Sequence, residues 1–225
     1  MNTLVAGLDC TGETYSVALM RGADCLAESG GTSARAHLRL LFPALTECAS
    51  RAGVRLADLD RVAVTAGPGS FTGLRLGIVT ARTMAQVLGC RVVPVDTLEA
   101  LAWNVPDSPR VVAALDARRG EIFAACFETR AGECLRLTED RAFTPEELAG
   151  ALESWGGGVL VGSAAARYGP VLSQVPGVRV LPPVFAQIRG SAVALAGRRA
   201  DPVAALDLAP TYLRSAEVQL HGVQP

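Results

Sequence analysis

The chain has 225 residues, of which 50% are hydrophobic and 19% charged, and its mean hydropathy is +0.30. This composition excludes a disordered chain and predicts a globular protein with one large core or two small ones. The 21 basic and 22 acidic residues nearly cancel, which argues against autonomous binding to nucleic acid or to an anionic membrane. All 21 basic residues are Arg, and the lack of Lys excludes Schiff-base chemistry and the lysine of a phosphate-binding loop.

The chain opens with a predicted antiparallel meander of three strands. Apolar runs at residues 4–8, 15–20 and 25–28 are separated by turns that contain Gly12 and Gly22. An amphipathic helix is predicted next, over residues 33–52, with Ser33 as N-cap and Gly53 as the stop. Pro43 lies inside this helix and predicts a kink.

The rest of the chain alternates predicted strands and helices. Strands are predicted at 59–66 and 91–95 and helices at 72–88 and 97–104, followed by a loop at 105–109. The pattern then begins again with strands at 111–115, 122–127 and 134–137, a helix starting at Thr144, strands at 159–162 and 178–181, and a helix at 192–199. Residues 209–214 are predicted to form an extended arm.

The two halves follow one plan, which predicts a duplicated α/β protein. In each half an apolar strand ends in Asp, at Asp9 and Asp116, and two further strands follow across Gly-bearing turns. We therefore predict an N-terminal lobe over residues 1–105 and a C-terminal lobe over 110–225 that includes the arm, with a cleft between two mixed sheets.

The six cysteines indicate a reducing compartment. They form no C-x-x-C pair and no Cys/His cluster with zinc spacing, and most lie in apolar runs, where a free thiol packs as a small hydrophobe. The first residues lack a basic segment and their apolar run is broken by Asp9, so neither a signal peptide nor a membrane span is predicted. We expect a cytoplasmic protein.

Several segments resemble the bacterial TsaB (YeaZ) family. The most specific is GPGSFTGLRLG at 67–77, a signature loop that includes Gly67, Pro68, Gly69, Ser70, Phe71 and Thr72. The others are GLDCT at 7–11, SVAL at 16–19, ALDARRGEIF at 114–123 and PTYLR at 210–214. The resemblance spans nearly the whole chain.

This resemblance implies two RNase H-like lobes of the actin, sugar-kinase and Hsp70 (ASKHA) superfamily, with mixed sheets flanked by helices. It implies a non-catalytic partner of TsaD, the subunit that attaches threonylcarbamoyl to N6 of adenosine 37 in tRNAs reading codons that begin with A. The ATPase TsaE is implied as a third component, tRNA as a partner only through the complex, and a homodimer when TsaD is absent. No cofactor is expected.

The helix after the signature loop carries small residues at every fourth position. Such a ridge lets another backbone approach closely, and its partner is either the sheet of the same lobe or a helix of a second chain. The resemblance implies the second alternative for this helix and the preceding one. The interface residues expected on this basis, for TsaD or a second copy, are Leu38, Leu41, Leu45, Gly73, Leu74, Gly77, Ile78, Ala81 and Ala85.

The sequence offers few candidate catalytic groups. TsaD is understood to bind its metal through H-x-x-x-H, whereas His37 is followed four residues later by Leu41, so no metal site is expected. Asp9, Thr11, Asp116 and Gly120 stand where the superfamily has phosphate-binding hairpins, and we interpret them as vestigial. The signature loop fits no phosphate-loop spacing and favours a tight strand-to-helix turn. The alternatives are an ATP-binding phosphohydrolase of this superfamily and a glycoprotease-like peptidase.

Overall fold

A computed structural model describes residues 3–32 and 37–213 of the chain. These ranges contain eleven strands and six α-helices. The strands are β1 (Leu4–Asp9), β2 (Thr14–Arg21), β3 (Asp24–Thr32), β4 (Arg61–Gly67), β5 (Arg91–Asp96), β6 (Ser108–Arg118), β7 (Glu121–Arg130), β8 (Glu133–Arg136), β9 (Arg141–Phe143), β10 (Gly158–Val161) and β11 (Val178–Val180). The helices are α1 (His37–Ala52), α2 (Phe71–Leu88), α3 (Thr97–Ala102), α4 (Pro145–Trp155), α5 (Ser163–Leu172) and α6 (Gly190–Arg199).

The strands form two mixed sheets, one from each half of the chain. The first sheet has the order β3-β2-β1-β4-β5, and the second has the order β11-β10-β6-β7-β8, with β9 paired to β7. In the first sheet β1, β2 and β3 are antiparallel neighbours, while β4 and β5 run parallel to β1. The predicted meander and the predicted α/β class are confirmed.

Side-chain alternation along the strands divides the core into layers. Val5 and Ala6 are adjacent in β1 but point to opposite faces of the first sheet. Ala6 joins the core under α1 and α2, whereas Val5 joins a central core that α3 and α6 share with both sheets. The outer face of the second sheet packs against α4 and α5. The molecule is therefore a stack of helices, sheet, helices, sheet and helices.

Helix α6 comes from the second half of the sequence but packs on the first sheet. It contacts β1, β2 and β4 on the face opposite α1 and α2. Glu28 of β3 holds its first turn by accepting hydrogen bonds from the backbone N–H of Ser191 (2.9 Å) and from the Ser191 hydroxyl (2.8 Å). Arg189 also contacts Glu28, at 2.7 Å. The lobe boundary near residues 105–110 stays a prediction, and the two halves are interleaved through this helix.

The helix ends follow local sequence signals, whereas two elements were not predicted. Ser70 is the N-cap of α2 and Gly89 its C-cap, and Thr144 forms a capping box with Glu147 at the start of α4. Strand β9 and helix α5 are additional to the predicted elements. Helix α5 was missed because Pro170 lies inside it, where a proline removes a backbone donor.

The cysteines are all free, and only three are buried. Cys10, Cys48 and Cys126 lie in the cores, whereas Cys25 is exposed. Burial raises the pKa of the Cys10 thiol to about 12 and that of Cys126 to about 11, so both stay protonated at neutral pH. No helix within the described ranges has the length and hydropathy needed to span a bilayer.

Candidate functional site

Asp9 ends β1 at the first of the two hairpins expected to be vestigial. Its Oδ1 atom accepts hydrogen bonds from the Thr65 hydroxyl (2.7 Å), the Thr11 hydroxyl (2.8 Å) and the Thr11 backbone N–H (3.3 Å). The side chain is buried, and burial raises its pKa while the threonine hydrogen bonds oppose that rise. The sequence indicated Thr11 as a neighbour but gave no sign of Thr65, which reaches Asp9 only through the parallel pairing of β1 and β4.

Asp116 occupies the corresponding turn of the second lobe, and its carboxylate is also held by groups of the chain itself. One carboxylate oxygen accepts the backbone N–H of Arg118 at 3.0 Å, and the other pairs with Arg167 at 2.7 Å. The turn that follows ends at Gly120, and Arg118 reaches across to Glu13 of the first hairpin at 3.2 Å. This ion pair is exposed, so it is weak, but it links the tips of the two hairpins.

The signature loop connects β4 to α2 and packs against the first hairpin. The Gly67–Pro68 peptide is cis, and the Ser70 hydroxyl accepts the backbone N–H of Gly73 at 3.4 Å. The Ser70 N–H donates to the Thr11 carbonyl at 3.0 Å, and the Cys10 thiol donates to the Gly73 carbonyl at 3.1 Å. The Ser70 N–H at the helix start is thus already bonded to the Thr11 carbonyl, although a phosphate bound there would need such a donor. The tight-turn interpretation is the one that this geometry supports.

The C-terminal arm lies against this loop, a contact that the sequence did not reveal. The Thr211 N–H donates to the Ala66 carbonyl at 2.6 Å. A side chain at Gly67 would overlap the Thr211 carbonyl, so the arm requires Gly at this position. Tyr212 stacks on Phe71 with ring centroids 5.4 Å apart. Although the arm belongs to the second half of the sequence, it is thus attached to the first lobe.

The ridge of small residues on α2 faces its own lobe, which corrects the interface residues expected from the sequence. A Cβ atom at Gly73 would lie 3.0 Å from the Cys10 carbonyl carbon, and one at Gly77 would lie 3.1 Å from Val64. The close approach that the ridge permits is therefore to the first hairpin and to β4. Among the expected residues the following are buried inside the protomer: Leu41, Leu45, Gly73, Leu74, Gly77, Ile78, Ala81 and Ala85. The side chain of Leu38 lies outside the described residues.

The opposite side of the same two helices exposes apolar residues to solvent. The exposed fractions are 52% for Phe42 on α1, and 55% for Val79 and 77% for Val87 on α2. Thr46 and Thr83, also exposed, donate their hydroxyls to the carbonyls of Phe42 and Val79, each at 2.9 Å. Because these hydroxyls already donate to carbonyls of their own helices, the two threonines need no further hydrogen-bond acceptor at the surface. We call these five residues the outer face.

No group of three or more His, Cys, Asp or Glu side chains within the described residues is arranged to hold a metal ion. His37 begins α1, but its side chain lies outside the described residues, as does His221. Leu41, one turn after His37, is 1% exposed and belongs to the core under α1. The position that would need a second imidazole is thus a core position.

Comparison with known proteins identifies relatives over most of the chain. The family model of the tRNA N6-adenosine threonylcarbamoyltransferase TsaD matches residues 21–197. The tRNA threonylcarbamoyladenosine biosynthesis protein TsaB of Bacillus subtilis is 25% identical over 98% of each chain. TsaB of Escherichia coli is 32% identical over 55% of this chain and 54% of its own length.

Solved structures agree with these matches. YeaZ from Pseudomonas aeruginosa superposes with a TM-score of 0.76 at 27% identity, covering 94% of this chain and all of that one. The ethanolamine utilization protein EutJ from Carboxydothermus hydrogenoformans has a TM-score of 0.54 at 12% identity, covering 85% of this chain and 89% of its own, and shares only the fold. The two lobes thus share the fold of these proteins. The chain belongs to the TsaB (YeaZ) family and carries the domain shared with TsaD.

Proposed function

We propose that this chain is a non-catalytic subunit of the assembly that forms N6-threonylcarbamoyladenosine at position 37 of tRNAs reading codons that begin with A. In this proposal it pairs with TsaD and holds that catalytic subunit in its active geometry. The names of the TsaB relatives support participation in this biosynthesis. The outer face is the observation that carries the pairing.

The outer face has the character of an unpaired interface. Phe42, Val79 and Val87 are large apolar side chains exposed on a helix layer whose inner side is already filled by its own sheet. Apolar residues grouped on one face of a folded protein mark interaction sites more often than residues scattered singly. An interface between two such helix layers would bury about 1,200–2,000 Å² in total, the usual size for a specific complex.

The geometry of the hairpins supports a structural role for this chain within the assembly. Asp9 and Asp116 are both held by groups of the chain itself, and the Ser70 N–H at the start of α2 donates to the Thr11 carbonyl. A nucleotide clamp in these positions would need backbone donors directed at phosphate. We therefore assign the threonylcarbamoyl transfer to TsaD, and in this assembly tRNA is bound through the complex and TsaE joins as the ATPase.

The pairing predicts a specific effect of charge on the outer face. Val87→Asp should leave the fold intact, because the side chain is 77% exposed, and should weaken association with TsaD at least about ten-fold. Val184→Asp is the matched control, since Val184 is also 77% exposed but lies on the second lobe. Size-exclusion chromatography with light scattering, on each chain alone and mixed with TsaD, measures both states.

We expect the wild-type chain to elute as a homodimer when alone and as a heterodimer when mixed with TsaD. We expect the protein to form the same pair in the cytoplasm. Elution of the wild-type chain as a monomer in both runs would contradict the proposal, as would equal weakening by Val184→Asp. Calorimetric titration with ATP and magnesium, performed on the wild-type chain, tests the phosphohydrolase alternative directly, and tight binding there would favour it.

A further inference from the structure

The segment that leads from α6 into the C-terminal arm lies beside α2, at the edge of the helix layer that carries the outer face. The N–H of Val203 donates to a carbonyl of β5 at 2.9 Å. Arg82 of α2 donates to the carbonyl of Leu206, at 3.0 Å, and to that of Leu208. We call residues 203–212 the strap, whose end belongs to the arm on the signature loop.

The strap and α1 lie on opposite sides of α2. The first sheet has the order β3-β2-β1-β4-β5, and α1 packs on β2 and β3 whereas α2 packs on β4. The strap is bridged to β5, the last strand of this order. The layer that covers this face of the first sheet therefore consists of α1, α2 and the strap, in that order.

The strap exposes two large apolar side chains. Leu208 is 1% exposed and belongs to the core under α1 and α2, whereas Leu206 is 77% exposed. Tyr212 is 39% exposed and stacks on Phe71, which is itself 44% exposed. Among the described residues, six of the eleven exposed large apolar side chains thus lie on this one layer, namely Phe42, Phe71, Val79, Val87, Leu206 and Tyr212.

The geometry of α2 places the strap next to the outer face. Successive residues of an α-helix are about 100° apart around its axis, so Phe71, Arg75 and Arg82 lie within about 40° of one another. These are the residues of α2 that contact the strap. Val79 of the outer face lies about 40° beyond Arg75 and is also exposed. The strap therefore extends the outer face beyond one edge of α2.

An arginine is held among the aromatic rings at this edge. The guanidinium of Arg75 lies 3.8 Å from the centre of the Phe71 ring, and its Nε donates to the Tyr212 hydroxyl at 3.4 Å. Arg75 takes part in none of the ion pairs formed among the described residues. Its other N–H donors are therefore free to bind a carboxylate of a partner. Tyrosine, phenylalanine and arginine are enriched in the centres of protein interfaces.

We infer that the strap is part of the surface that pairs with TsaD, which places apolar side chains against Leu206 and Tyr212 and a carboxylate against Arg75. This inference rests on the proposed function, because the strap continues the outer face. The TsaD family model matches the chain only as far as residue 197, so the strap is an addition to the domain that the two proteins share. Charge favours TsaD over a second copy, since α2 has no carboxylate to offer the Arg75 of a copy packed against it.

Leu206→Asp tests the strap without changing the outer face itself. It should weaken association with TsaD at least about ten-fold, because the pairing would bury an unpaired carboxylate among apolar groups. Val184→Asp is the matched control, since Val184 has the same 77% exposure but lies on the second lobe. Calorimetric titration with TsaD measures the affinity, and thermal unfolding of each variant alone verifies the fold.

Two further variants test the aromatic end of the strap. Tyr212→Ala should weaken association about ten-fold, whereas Phe185→Ala, at a similarly exposed aromatic residue of the second lobe, should leave it unchanged. The affinity of the wild-type chain should fall as salt concentration rises, and Arg75→Gln should reduce this fall, because the ion pair with the TsaD carboxylate is lost.

The outcomes separate this inference from the proposed function. Wild-type affinity in both Leu206→Asp and Tyr212→Ala, with Val87→Asp still weakened, would overturn the role of the strap and leave the proposed function standing. Wild-type affinity in all three variants would contradict both. Weakening of the homodimer alone would assign the strap to a second copy and overturn the inference, as would equal salt dependence in Arg75→Gln and the wild type.

Discussion

Replacing Gly73 with Ala separates the two meanings of the small-residue ridge on α2. If the ridge packs against its own lobe, the added methyl group must destabilise the protomer. If the ridge instead receives a helix of a second chain, the methyl group should spare the fold and disturb only association. The structure supports the first outcome, because a Cβ atom at this position would lie 3.0 Å from the Cys10 carbonyl carbon and still closer to the oxygen.

The expected loss follows from two opposing contributions. Ala is favoured over Gly in a helix by about 0.8–1.0 kcal/mol, which stabilises the variant. Insertion of a methyl group into a packed site costs about 1–3 kcal/mol and more when the neighbour is backbone, which here is fixed by the Ser70 N–H to Thr11 hydrogen bond. Because the neighbour is fixed backbone, the cost lies at or above the upper end of that range, and we expect a net loss of at least about 2 kcal/mol in the free energy of unfolding. For a chain of this size that lowers Tm by at least about 4 °C.

Gly150→Ala is the matched control. Gly150 is also a helical glycine, in α4, and a Cβ atom there would meet nothing within 4 Å. Here only helix propensity acts, so we expect a gain of about 0.5–1 kcal/mol. Calorimetric thermal unfolding and urea denaturation measure both variants. An unchanged or raised Tm for Gly73→Ala, together with lost association with TsaD, would refute the packing argument and restore the ridge as an interface.

Two further predictions concern single polar contacts. Thr65→Val removes one donor from the buried carboxylate of Asp9 and should cost about 1–3 kcal/mol in urea denaturation, whereas Thr46→Val on the outer face should change stability by less than about 0.5 kcal/mol. Glu28→Gln should destabilise the chain by about 1–2 kcal/mol at pH 7. Burial acts to raise the pKa of Glu28, but hydrogen bonds from Ser191 and Arg189 outweigh it, and the net pKa lies below 4.5. The stabilisation by Glu28 is therefore fully present above the ordinary glutamate pKa and is lost as the pH falls through the lowered pKa of the folded chain, so wild-type and variant denaturation midpoints should converge on acidification.

Elements with local signals were predictable from the sequence. The meander follows from apolar runs separated by Gly-bearing turns. Helix α2 begins at Ser70 and ends at Gly89, because the Ser side chain and the backbone freedom of Gly act within a few residues. The TsaB resemblance rests on the signature loop, which forms the predicted strand-to-helix turn.

The contacts of the candidate site were not predictable in the same way. Helical periodicity shows that α2 has a face of small residues, but it does not show whether Cys10 of the same lobe or a second chain covers that face. Thr65 reaches Asp9 across 56 positions, and Tyr212 reaches Phe71 across a still longer separation. Each of these contacts depends on strand register or on the path of the arm.

By itself, therefore, the sequence determined the α/β class, the duplicated strand order, the family and the positions of most helices, because turns, caps and periodicity act over a few residues. Only the tertiary structure decided that α6 and the arm lie on the first lobe, that the ridge is buried while Val79 and Val87 are exposed, and that Arg136 pairs both with Asp96 of the first sheet and with Asp140 in the segment before β9. Those arrangements depend on which of several distant segments covers a given apolar surface, and no local sequence pattern shows which segment does so.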